Sequence, residues 1–312
     1  YIDNHLMKLE EKTIGVLMGG LSPEREISLA SGNAVLEALR RKGLNGIGID
    51  VSNDIAFSLK KNKIDIAFIA LHGVFGEDGS IQGVLEYSKI PYTGSGVLAS
   101  ALAYDKVKSK EILKFNKVPT ADYQVLYREK GGRQERAFGF PVVVKPSNQG
   151  SSIGVSIVRE EKEWGAALEL AFIYSKEIMV EKFIEGKLLA IGMNGEQAMP
   201  IVHIRPKSGF YDYESKYTTG RTKYSCPAEL GIEETQRCKD IAVQVYRSLR
   251  GNGMPRVDVI LDSAGVPYVL EMNTVPGLTP TSLLPMAAKQ SGLEFDDLVV
   301  EILKSANLDY EG

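Results

Sequence analysis

The chain has 312 residues and a mass of 34.2 kDa, which at roughly 150 residues per domain makes two or three domains and excludes a small disulfide-held scaffold. Hydrophobic residues make up 44% and charged residues 25%, as in an ordinary globular protein and unlike a disordered chain or a membrane bundle. Lys and Arg number 37 against 40 for Asp and Glu, and the net charge of −3 leaves no basic field to attract nucleic acid.

Cys226 and Cys238 are the only cysteines. Their spacing fits neither a redox pair nor a zinc site, so both are expected as free thiols in a reducing cytoplasm. The longest uncharged runs, Ile90 to Tyr104 and Met272 to Ala288, fall short of a span of about 20 apolar residues. No membrane segment is expected. Residues 1–6, ahead of Met7, lack an apolar core and a basic front and are set aside as a remnant rather than a signal peptide.

In chain order, TIGVLMGG from Thr13 reads as a strand ending in glycines, SLASGNAVLEALRRKG as a helix and NGIGID as a strand. DIAFIALHG and SIQGVLEYS repeat the alternation, so residues 7–96 are expected to form a Rossmann-like α/β domain with a parallel sheet. The carboxyl ends of its strands, with Gly19, Gly20, Ser22 and His72, should wall a ligand site. A second region, 97–185, holds the Lys-rich helix DKVKSKEILKFNKV, the buried strand FPVVVKPS and the run EIMVEKFIEG. The third, 186–312, turns to strands and loops, then the helix EETQRCKDIAVQVYRSL and a hairpin, PRVDVILDSAGVPYVLEMN.

A hairpin loop of two or four residues around Asp262 to Gly265 pairs Arg256 with Glu271 and Asp258 with Val269. Arg256, Asp258, Glu271 and Asn273 then share one face, either with Asp258, Glu271 and Asn273 as hard oxygen ligands of a divalent cation or as a solvated strand face with an ion pair. Lys145 ends a strand and leads into PSNQGSSIGV, a phosphate cradle or a structural turn; it is not a Walker loop. Glu24 and Glu26 open a helix, where they complement its dipole or bind an ammonium group. MGGLSPEREISL lacks G-x-G-x-x-G, and Asp50 comes too late for a ribose ligand, which disfavours a Rossmann oxidoreductase. Three scattered histidines and no G-x-S-x-G elbow leave no support for a His-based metal site or a catalytic triad.

The segments GGLSPEREISL, LHGVFGEDGSIQG, YDKVKSK, VVVKPSNQGSSIGV, EKFIEG, FYDYESKY, PRVDV and EMNTVPGLTPTSLLP occur in that order. Together they resemble the D-alanine–D-alanine ligases, members of the ATP-grasp superfamily, from Lys12 to Leu308. The resemblance implies a three-domain ATP-grasp fold that joins two D-alanine molecules through a D-alanyl phosphate, for peptidoglycan precursors. ATP and two Mg²⁺ ions, replaceable by Mn²⁺, are the implied cofactors, in a cytoplasmic homodimer. Lys106, Lys145 and Ser152 are then expected at the phosphates, and Glu181 with the backbone of Lys182 and Ile184 at the adenine. Asp258, Glu271 and Asn273 match the magnesium ligands, and Arg256 with the Gly277 backbone the oxyanion donors. Glu24 matches the ligand of the first ammonium group, with Ser151 and Tyr217 as its hydrogen-bonded partners and His72 close by. Lys216, Ser282 and the Leu283 backbone match groups holding the second carboxylate or a phosphate.

The same resemblance makes residues 207–228 a mobile closing loop, and Tyr217 implies D-alanine rather than D-lactate as second substrate. Leu188 departs from the family, which usually has a ribose-binding carboxylate there; either that acceptor is lost, or the strand register shifts and Glu185 supplies it. The other readings are an ATP-grasp ligase with D-lactate or D-serine as acceptor, and a nucleotide-binding module without turnover.

Overall fold

Three sheets organise the computed structural model, which describes residues 9–128, 135–207, 211, 218 and 220–310. The first is parallel: β1 (Thr13–Met18), β2 (Asn45–Asp50) and β3 (Ile66–Ile69), in the order β2-β1-β3. Consecutive residues of β1 and β3 are buried, as strands covered on both faces require. Helix α1 (Arg25–Arg41) turns Val35, Ala38 and Leu39 inward. A Cβ at Gly32 would come within 2.5 Å of the Met18 Cβ, so glycine there lets α1 lie close on β1. Helices α2 (Ile55–Lys61) and α3 (Ser80–Tyr87) complete this part.

Helices α4 (Val97–Tyr104) and α5 (Lys106–Phe115) meet at Asp105, whose carboxylate accepts the Val107 and Lys108 N–H groups at 3.0 Å and caps α5. The second sheet is antiparallel, with β4 (Tyr123–Tyr127), β5 (Val142–Pro146), β6 (Ser156–Val158) and β7 (Glu177–Lys182) in the order β4-β7-β5-β6. Val142, Val144 and Val180 pack beneath α6 (Glu161–Tyr174) through Trp164, Ala167 and Ala171. Strand alternation turns Lys145 and Glu181 to the other face.

The third sheet holds β8 (Lys187–Asn194), β10 (Val202–Pro206), β11 (Thr222–Ser225), β12 (Arg256–Leu261) and β13 (Pro267–Asn273) in the order β11-β10-β8-β12-β13, with β9 (Gln197–Ala198) on β8. Helix α7 (Ile232–Ser248) buries Cys238, Ala242 and Val245 against Ile191, Val257 and Val259. Helices α8 (Leu283–Gln290) and α9 (Phe295–Lys304) run back to the first sheet. Leu284, Ala288 and Leu303 share one buried cluster with Val16, Leu39 and Phe68, and Arg41 meets Asp296 at 2.7 Å. The site lies where the three parts meet. No described helix is long and apolar enough to cross a membrane.

The hairpin corrects the expected register. Asp262 N–H reaches Val266 O at 3.1 Å and Gly265 N–H reaches Asp262 O at 3.1 Å, with Gly265 at φ 76°. That is a three-residue loop with a left-handed glycine, one residue longer than a two-residue turn. A bulge between Asp258 and Val259 shifts the ladder once more, so Asp258 faces Glu271 and Arg256 faces Asn273. Two one-residue shifts cancel in parity. The four polar side chains therefore still share a face, while Val257, Val259 and Met272 are buried on the other.

Candidate active site

A cavity of about 610 Å³ opens between the three parts, a volume suited to a cofactor-sized ligand. Glu24 and His72 reach it from the first part, Lys106 and Ser151 from the second. Arg256, Glu271, Asn273, Gly277, Ser282 and Leu283 reach it from the third. Residues up to 259 positions apart thus line one space, whereas Lys145, Ser152, Glu181, Lys182, Ile184 and Asp258 of the expected set are not part of its lining.

At one end, Glu24 is buried at the start of α1 yet does not cap it. Its carboxylate instead accepts the Ser151 hydroxyl, far along the chain. Glu24 thus stands at the helix start with its carboxylate aimed across the cavity. A Cβ at Gly73 would stand 2.4 Å from Glu24 Oε2 and one at Gly150 2.9 Å, so two bare backbones make room for it. Ser22 fixes the approach: its hydroxyl donates to His72 O at 2.7 Å and accepts Glu24 N–H at 3.1 Å. His72 Nε2 lies 3.2 Å from Ser31 Oγ, which also accepts Leu278 N–H at 3.3 Å and ties α1 to the Gly277 loop.

Ser151 and Ser152 hold φ near 51° and 58°, left-handed values that cost a non-glycine residue about 1 kcal/mol each. Ser152 donates to the Tyr211 carbonyl at 3.0 Å, linking this loop to the third part. Lys106 closes the same region, donating to Gln149 O at 2.7 Å and standing 3.2 Å from Glu271.

Along the hairpin face, Arg256 grips Asp258 through two hydrogen bonds of 2.7 and 2.8 Å. Burial opposes the Arg256 charge, but Asp258 outweighs it and the guanidinium stays protonated. Near the far wall, Ser282 precedes α8, accepts Thr279 N–H at 3.1 Å and lies 2.8 Å from Thr279 Oγ1. The helix presents its positive end, beginning at Leu283, to the cavity.

Lys145 and Glu181 lie together outside the cavity lining, 2.7 Å apart, with Lys110 at 2.7 Å on the other oxygen. One buried carboxylate so serves two lysines. Burial works against the Glu181 charge, but Lys145 and Lys110 outweigh it and hold the carboxyl below its ordinary range. Lys110 shares its carboxylate with Lys145, so burial prevails and pulls it down to about 8. Lys182 is exposed and pairs with Asp122 at 2.9 Å, and Ile184 is half-buried beside it. Tyr217 and Lys216 lie outside the described residues, as does much of the expected closing segment. Its later part is the strand β11, paired with β10.

A family model described as D-ala D-ala ligase C-terminus matches residues 111–304, and one described as D-ala D-ala ligase N-terminus matches residues 52–95. The chain belongs to the D-alanine–D-alanine ligase family. A D-alanine–D-alanine ligase of Geobacter sulfurreducens is 48% identical over 307 residues, 98% of this chain and 97% of the relative. One from Geotalea uraniireducens is 48% identical over 302 residues, 96% of this chain and 97% of the relative. Among solved structures, the Bacillus anthracis D-alanine–D-alanine ligase complexed with ATP superposes with a TM-score of 0.83 at 33% identity, covering 94% of this chain and 97% of its own. The VanG D-Ala:D-Ser ligase from Enterococcus faecalis gives 0.78 at 27% identity, covering 94% and 98%.

Within this ligase-family site, sequence reasoning missed Lys110, Ser31, Tyr104 and Tyr211. Lys110 stands four residues after Lys106 on α5, a spacing that puts both on one helix face and was available as a signal. Leu188 sits opposite Ile260 and Ile204 in a ladder unbroken from Lys187 to Gly192, and Glu185 lies ahead of that ladder. It shares the face of Asp258, two pairs further along.

Proposed function

We propose that this chain joins two D-alanine molecules at the expense of ATP, and the observation that carries the reading is one cavity uniting Glu24 and Ser151 with Arg256, Glu271 and Asn273. The γ-phosphoryl group moves to the carboxylate of the first D-alanine, giving D-alanyl phosphate and ADP. The amine of the second D-alanine then attacks the acyl carbon, and phosphate leaves as the peptide bond forms.

The buried carboxylate of Glu24 suits the first ammonium group, with Ser151 and His72 fixing its wall. Arg256, charged and largely buried, faces the negative charge that develops on the acyl oxygen, together with the Gly277 backbone. The positive end of α8, with Ser282 and Leu283, suits the second carboxylate, where Lys216 is expected as well, and Tyr217 is expected with Ser151 as a partner of Glu24. Lys106, Lys145 and Ser152 serve the phosphates. Glu181, Lys182 and Ile184 serve the adenine.

Asp258 and Glu271 face each other with Asn273 alongside, a set of hard oxygen donors that fits two magnesium ions or manganese in their place. When bound, these ions neutralise the phosphate oxygens. The sheets change near residues 96 and 185, and we infer domain boundaries there and a homodimer through the N-terminal domain.

Leu188 offers no acceptor on this face, which removes one hydrogen bond to the ribose. Leu188→Glu is expected to lower the ATP KM about fivefold, the equivalent of roughly 1 kcal/mol; an unchanged KM in steady-state assays would count against it. The acceptor is tested by supplying D-alanine, D-serine or D-lactate beside D-alanine at neutral pH. D-alanyl-D-alanine should dominate, and comparable ester formation with D-lactate would overturn D-alanine as acceptor.

A further inference from the structure

Tyr104 ends α4 immediately before the Asp105 turn that starts α5 at Lys106, and it lines the active-site cavity. Its hydroxyl oxygen is buried and, among the described residues, has no hydrogen-bond partner. A buried orphan donor is costly and rare, and in a ligand cavity it marks a group waiting for an acceptor. The carboxylates that act on it through space are Glu77, Glu24, Asp78 and Glu271, and none is within hydrogen-bonding reach. Burial and these charges push the phenol far above its ordinary range, so it keeps its proton and acts as a donor.

Glu24 marks the ammonium end of the proposed donor site and Glu271 the phosphate end. An amino acid bridging them has an ammonium group and a methyl group that cannot accept a hydrogen bond. Its carboxyl oxygens are the acceptors that remain. We propose that Tyr104 donates a hydrogen bond to a carboxyl oxygen of the amino acid held by Glu24, and so orients it for phosphoryl transfer. This rests on the ligase reading above.

The test is Tyr104→Phe, which removes one oxygen and keeps the ring. With hydroxylamine in place of the second amino acid, the acyl phosphate is captured as the hydroxamate while phosphate leaves, so the assay reports the donor site. The KM for donor D-alanine should rise about tenfold while the ATP KM stays within about twofold. The ligand-free thermal midpoint should hold or rise, because an unsatisfied hydroxyl has been removed. An unchanged donor KM and kcat would overturn the assignment. A lowered midpoint with equal losses for ATP and D-alanine would also overturn it, by making the role structural. Absence of hydroxamate from the unsubstituted chain would instead remove the ligase reading itself.

Discussion

Glu181→Gln should lower the free energy of unfolding by about 3–5 kcal/mol at neutral pH, because it leaves two buried lysines without their counter-ion. Lys145 and Lys110 stand 2.7 Å from the two oxygens of this carboxylate, which is almost wholly buried. The Lys110 ammonium also donates to Thr120 Oγ1 and Ala121 O, and Thr120 Oγ1 donates to Val269 O at 2.9 Å. Loss of the charge thus loosens a link between the second sheet and the hairpin. The pH dependence has a definite sign. Glu181 is held below its unfolded value near 4.5, so its contribution is complete above that pH and is lost as pH falls through the depressed folded value. Urea midpoints of the two proteins should differ most near neutrality and converge in acid. A gap that is constant with pH would mean that the carboxylate charge is not what stabilises the group.

Arg256→Met should reduce kcat by about a hundred- to a thousandfold, the range for losing one preorganised donor to a developing oxyanion. Arg256 lies beside the Glu271 and Asn273 positions and is oriented by Asp258 through two hydrogen bonds. The pairing fixes the guanidinium plane before substrate arrives, so little reorganisation accompanies the reaction. Arg256→Lys should recover only part of the rate, since a lysine cannot reproduce the planar fork on Asp258. Steady-state release of ADP at saturating D-alanine reads both variants, and a methionine variant within threefold of the parent would remove Arg256 from the chemistry.

Much of the fold was legible where pattern and punctuation agreed. The strand–glycine–helix alternation from Thr13 located β1, α1, β2 and β3, and the alternation in RVDVIL and PYVLEMN located the hairpin. Its pairing was less legible. A loop length depends on which conformation Gly265 adopts, and a bulge at Asp258 leaves no mark in composition. Helices α4, α6, α8 and α9 were not anticipated. VLASALAY is a short apolar run that reads equally as strand or helix, and LLPMAAKQ carries Pro285, which an α-helix accepts only in its first turn.

Candidate site residues that belong to compact motifs were the readable ones. The shared face of Asp258, Glu271 and Asn273 was readable from strand parity, and the turn from Gly150 to Gly154 from its glycines, while the roles proposed for them rest on the family. The partnership of Glu24 with Ser151, and of Glu181 with Lys110, joins segments distant in sequence, and only packing brings such charges together.

The most direct measurement of the central claim is the product balance of one reaction: Mg-ATP with D-alanine, followed by counting ADP, phosphate and D-alanyl-D-alanine, with L-alanine as control. The account predicts equal amounts of all three, formed with D-alanine and absent with L-alanine. ATP turnover that ignores D-alanine, or ADP and phosphate without dipeptide in a folded sample, would contradict it.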